Sequence, residues 1–248
     1  GGTTVPDVIG GQNAFIRGAG ATITASSLNL PGGASATQAY VDLPNGIISS
    51  KPSLTVEAWV TVKDDNGVQN WGRIFDFGTN SAGEITDAGG SFNGTNYIRR
   101  SANVGTGNDQ RLERAGGTIA NGAGNRDTTG SAAANLDTEI HVALTYDDAL
   151  DEWRWYRNGV LMETVPDTAG PTTIADVNNW LGRSNWAADA NLNGEYNEVR
   201  IYDQTLTQNQ IFGNFLAGPD TLNVVPEPGS AALLALAGLG LARRRRKA

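Results

Sequence analysis

Residues 54–62, Leu-Thr-Val-Glu-Ala-Trp-Val-Thr-Val, read as one β-strand, and the rest of the chain is read outward from it. Leu54, Val56, Ala58, Val60 and Val62 recur at period two and share one face, while Thr55, Glu57, Trp59 and Thr61 share the other. The first face is expected to pack on a core and the second to meet a different environment, in which Trp59 touches a ligand or a neighbouring sheet. On the N-terminal side, Ala39–Leu43 alternates and ends at Pro44-Asn45-Gly46, a strand running into a turn. On the C-terminal side, Trp71–Gly78 (WGRIFDFG) is a further strand, with Asp76 held between two phenylalanines. A carboxylate in that position is either hydrogen-bonded within the sheet or a ligand group.

From Thr79 to Leu136 the periodicity fades into Gly, Asn, Thr and Ser, with short strand candidates at Asn96–Arg99 and Arg111–Glu113. This stretch is expected to form long loops on one rim, where binding surfaces vary most. Order returns with His141–Tyr146, a turn over Asp147–Asp151, Glu152–Arg157, the two-residue hairpin signal Asn158-Gly159, and Val160–Val165. Trp180–Arg183 and Glu198–Tyr202 are the last strands. Leu206–Ile211 (LTQNQI) predicts a short helix with Thr207 as N-cap, Gln210 closing a capping box and Leu206 stapled onto Ile211. Its expected role is to cover an open sheet edge. Many short strands, 32 glycines and only 18% charged residues define an all-β chain, and 248 residues suit one large β domain.

The chain has no cysteine, so neither disulfides nor thiol catalysis is available. Acidic residues number 26 against 18 basic ones; without the five basic residues of 243–247 the balance is 26 against 13, a net charge of −13. Nucleic acid is therefore not an expected partner. An acidic body suits calcium, neutral sugars or basic surfaces, or simply solubility. Position 1 is glycine and the only methionine is Met162, so an export signal is expected to have been cleaved or the sequence to be truncated.

The C-terminal stretch reads as an address. Pro226, Glu227 and Pro228 keep the chain extended. An uncharged run then spans 231–242, and Arg243, Arg244, Arg245, Arg246 and Lys247 follow it directly. Twelve apolar residues fall short of the roughly 20 that a stable membrane span needs. The basic cluster holds the C-terminus on the cytoplasmic side. These three parts in this order resemble the PEP-CTERM sorting signal of bacterial exported proteins. That resemblance implies export, transient anchoring in the inner membrane, recognition by exosortase, cleavage near the triplet, and residence in the envelope, on the outer surface or in the extracellular matrix.

The body resembles the laminin-G-like, concanavalin A-like jelly-roll family through segments in matching order: YVDLP at 40–44, SLTVEAWV at 53–60, RIFDFG at 73–78, HVALTYD at 141–147, WYRNGVL at 155–161, LGR at 181–183 and NGEYNEVRIYDQTLTQNQI at 193–211. The resemblance implies two antiparallel sheets packed face to face, with the first and last strands paired. That pairing would bring Asp7 and Asn13 beside Glu198, where the family often holds a structural calcium. This chain has Asn197-Glu198 where the family has Asp-Glu, one ligand charge fewer. The expected organisation is a jelly-roll domain over 1–218, a linker with the PEP triplet over 219–228 and an apolar and basic anchor over 229–248.

Catalysis is not expected. Jelly-roll glycosidases set a nucleophile and an acid about 5 Å apart on one strand. Glu195 and Glu198 come nearest to that pattern, but three residues apart on a regular strand they point to opposite faces. His141 has no Ser or Cys partner in sequence and reads as structural. Two non-catalytic functions remain: a carbohydrate-binding module, or a structural or adhesive envelope protein without a small ligand. The first draws on Trp71, Trp153, Trp155, Trp180 and Trp186, because an exposed indole stacks on a sugar ring. Most of these are expected in the core. Trp186, with Asn185 and Asp189 in the polar loop 184–193, is the expected ligand contact. Partners are accordingly extracellular polysaccharide or surface proteins.

Overall fold

The computed structural model describes residues 3–63, 71–87, 89–101, 110–115, 126–127 and 137–221. The sorting-signal residues Pro226, Glu227, Pro228 and Arg243–Arg246 lie outside the described residues. The elements are β1 (Thr3–Val5), β2 (Ala14–Arg17), β3 (Thr22–Ile23), β4 (Leu28–Gly33), β5 (Tyr40–Leu43), β6 (Leu54–Val62), β7 (Arg73–Asn80), β8 (Gly94–Ser101), β9 (Gln110–Arg114), β10 (Arg126–Asp127), β11 (Glu139–Asp147), β12 (Glu152–Arg157), β13 (Val160–Pro166), β14 (Asn178–Leu181), β15 (Asn191–Tyr202) and the helix α1 (Gln208–Ala217). Two antiparallel sheets result. One runs β1-β2-β5-β14-β7-β8-β9-β10 and the other β13-β12-β11-β6-β15-β4-β3.

The core lies between them. Leu54, Val56, Ala58, Val60 and Val62 of β6 join Ile140, Val142 and Leu144 of β11 on one side, and Val41, Phe75, Phe77, Ile98 and Leu112 face them from the other sheet. Phe75 and Phe77 stack at 5.0 Å, so Asp76 between them points away from the core. Burying each such Leu, Val or Phe contributes about 1.5–3 kcal/mol. The hairpin at 158–159 forms as expected: Asn158 and Gly159 both take positive φ, 47° and 74°, matching the twist of the strands they join.

Every residue of β6 is buried, including the polar face. The second environment is α1. Thr207 caps it and Gln210 completes the capping box. Ile211 packs with Leu206, Ala143 and Tyr156, flanked by Leu161 and Tyr202. Those partners come from β11, β12, β13 and β15, so α1 lies across the outer face of the seven-stranded sheet rather than along an edge. An apolar and hydrogen-bonding stripe on five adjacent strands offers more area than an edge does. Trp59 accordingly meets neither ligand nor sheet. It is 2% exposed, tilted against His141 at 4.5 Å and beneath the Arg200 guanidinium at 4.4 Å.

Two expectations about register are corrected. The first and last strands do not pair: β1 pairs with β2, whereas β15 lies between β4 and β6 in the other sheet. Glu195 and Glu198 do not face opposite sides. Glu195 stands opposite Thr61 and Glu198 opposite Trp59, with a bulge between Tyr196 and Glu198. The extra residue restarts the alternation, so both carboxylates reach the outer face.

Candidate functional site

The loop after β14 folds back over the outer face of the eight-stranded sheet. Gly182 starts it at φ +80°, a left-handed conformation that favours glycine, with Leu30 Cδ1 packed against it. Arg183 is fully buried. Its guanidinium lies 4.4 Å from the Tyr40 ring and 4.5 Å from Trp180, and it donates to the carbonyls of Asp87 and Gly89 at 3.2 and 3.0 Å. The Arg183 side chain thereby ties the segment before β8 across this face, with Phe92 and Trp180 packed under it.

Asn185 stands at the base of the loop and is also fully buried. Its backbone N–H and Nδ2 donate to the two oxygens of Asp76, and its Oδ1 accepts from Asn80 Nδ2 at 3.1 Å. The side chain is spent on the scaffold. Burial pushes the Asp76 carboxyl above the usual carboxylate range, with Arg73 and Asn185 pulling the other way. Arg73 is held down to about 10 by burial first and by the nearby Arg99 second, against the attraction of Asp76 and Asp189.

Trp186 and Asp189 form the outer part of the loop. Asp189 Oδ2 accepts from Arg73 Nη2 at 2.6 Å and from Ser184 Oγ at 2.7 Å. Trp186 is half-buried, edge-on to Tyr97 at 4.6 Å, with the Arg99 guanidinium 5.2 Å from its ring. Arg99 also lies 5.1 Å from Trp71, so a guanidinium is bracketed by two indoles. Trp71 itself adopts φ +65°, a left-handed conformation that a bulky residue keeps only when its surroundings impose it. Gly94 seats Trp186, because a Cβ there would lie 2.5–2.8 Å from three atoms of the indole.

Beside this loop an open cleft of about 360 Å³ is lined by Gly33, Ala34, Ser35, Ala36 and residues 187–190. Ser35 Oγ donates to the Ala187 carbonyl at 2.6 Å and ties its two walls together. Small side chains let a ligand approach the backbone, and Asp189 supplies a carboxylate that accepts from hydroxyl groups. Of the expected contacts, Trp186 and Asp189 share one rim, while Asn185 lies beneath it. Trp153 and Trp155 are in the core. The sequence reading missed Arg73, Arg99 and Arg183. Cations inside apolar strand patterns, as in RIFDFG and YIRRS, are the signal that could have exposed them, since buried arginines need partners.

The calcium expectation fails a test of fit. Asp7 Oδ1 accepts from the backbone N–H groups of Ile9 and Gly10, and Oδ2 from that of Gln12, each at 2.9 Å; Asn13 Oδ1 accepts from the Asp7 N–H. Burial raises the Asp7 carboxyl, and the three N–H bonds from Gly10, Ile9 and Gln12 together bring it below its ordinary value. Glu198 takes Arg200 Nε and Nη2 at 2.7 Å each and the Asp220 N–H at 2.7 Å. Calcium takes six to eight oxygens. Here the two halves of the set belong to different sheets, and one is already neutralised by a guanidinium. Among the described residues no group of three or more His, Cys, Asp or Glu side chains is placed to hold a metal.

Glu195 and Glu198 are each paired with a cation instead, Glu195 with Lys63 at 3.2 Å and Glu198 with Arg200 at 2.7 Å. Ser27 and Lys63 lower the Glu195 carboxyl. Burial raises that of Glu198, but Arg200 and the Asp220 N–H bring it below its ordinary value.

Residues 35–212 match the family described as the concanavalin A-like lectin/glucanases superfamily, and the chain belongs to it. Residues 224–247 match the PEP-CTERM protein-sorting motif. The protein is therefore an exported one, anchored at the membrane and then processed by exosortase in the cell envelope. No curated protein sequence matches the chain. Among solved structures, domain 4 of the extracellular arabinanase AbnA from Geobacillus stearothermophilus, in complex with arabinotriose, is 19% identical with a TM-score of 0.60, covering 84% of this chain and 90% of that one. Trypanosoma rangeli sialidase is 18% identical with a TM-score of 0.59, covering 88% of this chain, which spans 31% of the sialidase. The CBM40 of Ruminococcus gnavus IT-sialidase, bound to α2,3-sialyllactose, is 15% identical with a TM-score of 0.52, covering 78% and 98%. At these identities the likeness is one of fold.

Proposed function

We propose that the folded domain is a non-catalytic glycan-binding module displayed at the cell envelope, with extracellular polysaccharide as its partner. The observation that carries this reading is the joining of an open cleft to a loop that holds a half-exposed indole, Trp186, and a carboxylate, Asp189. The fold is one whose relatives include domains solved with arabinotriose and with α2,3-sialyllactose, and this supports the ligand class without naming the sugar. Asp189 is anchored by Arg73 and Ser184, so it meets a hydroxyl without a further ordering cost.

A glycan array on the purified protein, run with calcium and with chelator, tests this reading. Saturable binding to one sugar class is expected, unchanged by chelator. Ala188→Trp, which fills the cleft from an exposed position, is expected to weaken it at least about tenfold, or 1.4 kcal/mol. Absence of binding across the array would leave the structural or adhesive reading.

A further inference from the structure

The helix α1 contains no charged residue in an otherwise strongly acidic body. Its buried side, Ile211 and Asn214, faces the sheet. Its outer side carries Phe212 and Leu216, 45% and 66% exposed and four residues apart, hence on one stripe. Val160, 55% exposed, extends the stripe, because Gly159 packs so closely on Phe212 that a Cβ there would lie 2.7 Å from its ring. The path of the chain beyond α1 indicates what this stripe would meet.

The exit from the domain is fastened. Glu198 Oε2 accepts the Asp220 N–H at 2.7 Å, and Arg200 Nη2 donates to the Thr221 carbonyl at 3.1 Å. From there nine residues, 222–230, separate the fastened point from the apolar run that begins at Ala231. Fully extended, they and their flanking bonds reach at most about 35 Å. A domain of some 220 residues is roughly 45 Å across. While the run is in the bilayer, the side of the domain that carries the exit cannot turn away from it.

We propose that the outer stripe of α1, Phe212 and Leu216 with Val160, rests on the lipid surface while the C-terminal run is inserted, with the Glu198–Arg200 pair fixing that orientation. The proposal rests on the sorting signal and not on the glycan reading. It has a consequence for display: the Trp186 loop packs on the outer face of the sheet opposite to the one that carries α1.

The absence of cysteine makes the test direct. Leu216→Cys, Phe212→Cys and, as a control on the remote β11–β12 turn, Leu150→Cys are each labelled in the full chain with an environment-sensitive fluorophore. Each is mixed with phosphatidylcholine–phosphatidylglycerol vesicles and read on the fraction that floats with lipid. A blue shift at 216 and 212 with none at 150 is expected. No shift at 216 and 212 in floated protein would overturn the proposal, as would a shift at all three positions. A shift without vesicles that grows with protein concentration would assign the stripe to a second copy and overturn it too. If no chain floats, the tether is absent and the proposal falls with it.

Discussion

Asn185 donates both its backbone N–H and its Nδ2 to the carboxylate of Asp76, 109 residues away in sequence, each at 2.9 Å. This double bond pins the base of the Trp186 loop to the middle of the eight-stranded sheet. It also makes Asp76 the anion that balances buried Arg73, whose Nε lies 3.3 Å from it. Asp76→Ala leaves Asp189 as the one carboxylate beside Arg73 and takes the acceptor from both Asn185 donors, and is expected to cost at least about 1–3 kcal/mol. Denaturant unfolding checks this, and Asp76→Asn should recover part of the loss by keeping an acceptor for Asn185.

Gly94→Ala places a methyl group inside the Trp186 ring contact, and the indole itself must yield. Overpacking of this kind costs about 1–3 kcal/mol. Near-ultraviolet circular dichroism should report a displaced indole, and sugar affinity should fall, as is expected of Trp186→Ala too. Equal affinity in both variants and the parent would remove Trp186 from the site.

Under α1, Asn214 Nδ2 donates to Glu57 Oε2 at 2.9 Å with both groups buried, and His141 Nε2 approaches the other Glu57 oxygen at 3.2 Å. Asn214→Ala removes a bond to a charged acceptor and is expected to cost about 1.5–3 kcal/mol. Hydrogen exchange should accelerate in α1 before it does in β6. Uniform acceleration would mean that the helix and the sheet unfold together.

The Glu198 carboxyl lies below its ordinary value because Arg200 and the Asp220 N–H outweigh burial. Its contribution to stability is therefore complete above the unfolded carboxylate pKa of about 4.3 and is lost as pH falls through the lower folded value. Glu198→Gln should melt below the parent at neutral pH, and the gap should close below about pH 4. A gap constant down to pH 2 would show that the carboxylate charge plays no part in fastening the exit.

Chelator is expected to leave the melting temperature unchanged through Asp7, Asn13 and Glu198, since Asp7 and Asn13 already accept backbone N–H groups of their own loop and Glu198 is paired with Arg200 and the Asp220 N–H. A fall in melting temperature that Asp7→Asn abolishes would reinstate a metal at that loop.

The alternation of β6, the hairpin at Asn158-Gly159 and the capping box at Thr207 were legible because each is decided within a few residues, by side-chain period, positive φ or a local hydrogen bond. The sorting signal was legible for the same reason. What covered the polar face of β6 was not, since Glu57 and Asn214 are 157 residues apart and neither announces the other. The bulge at Asn197 likewise has no local signature, yet it turns Glu198 to the side of Glu195. Period and turn chemistry in the sequence by itself determined an all-β chain, and its resemblance to the jelly-roll family and to the PEP-CTERM signal implied the two-sheet sandwich and its export. Register and burial, which depend on which distant strands meet, decided that Asn185 is scaffold, that Trp186 and Asp189 share a rim, and that arginines are the buried partners of its carboxylates.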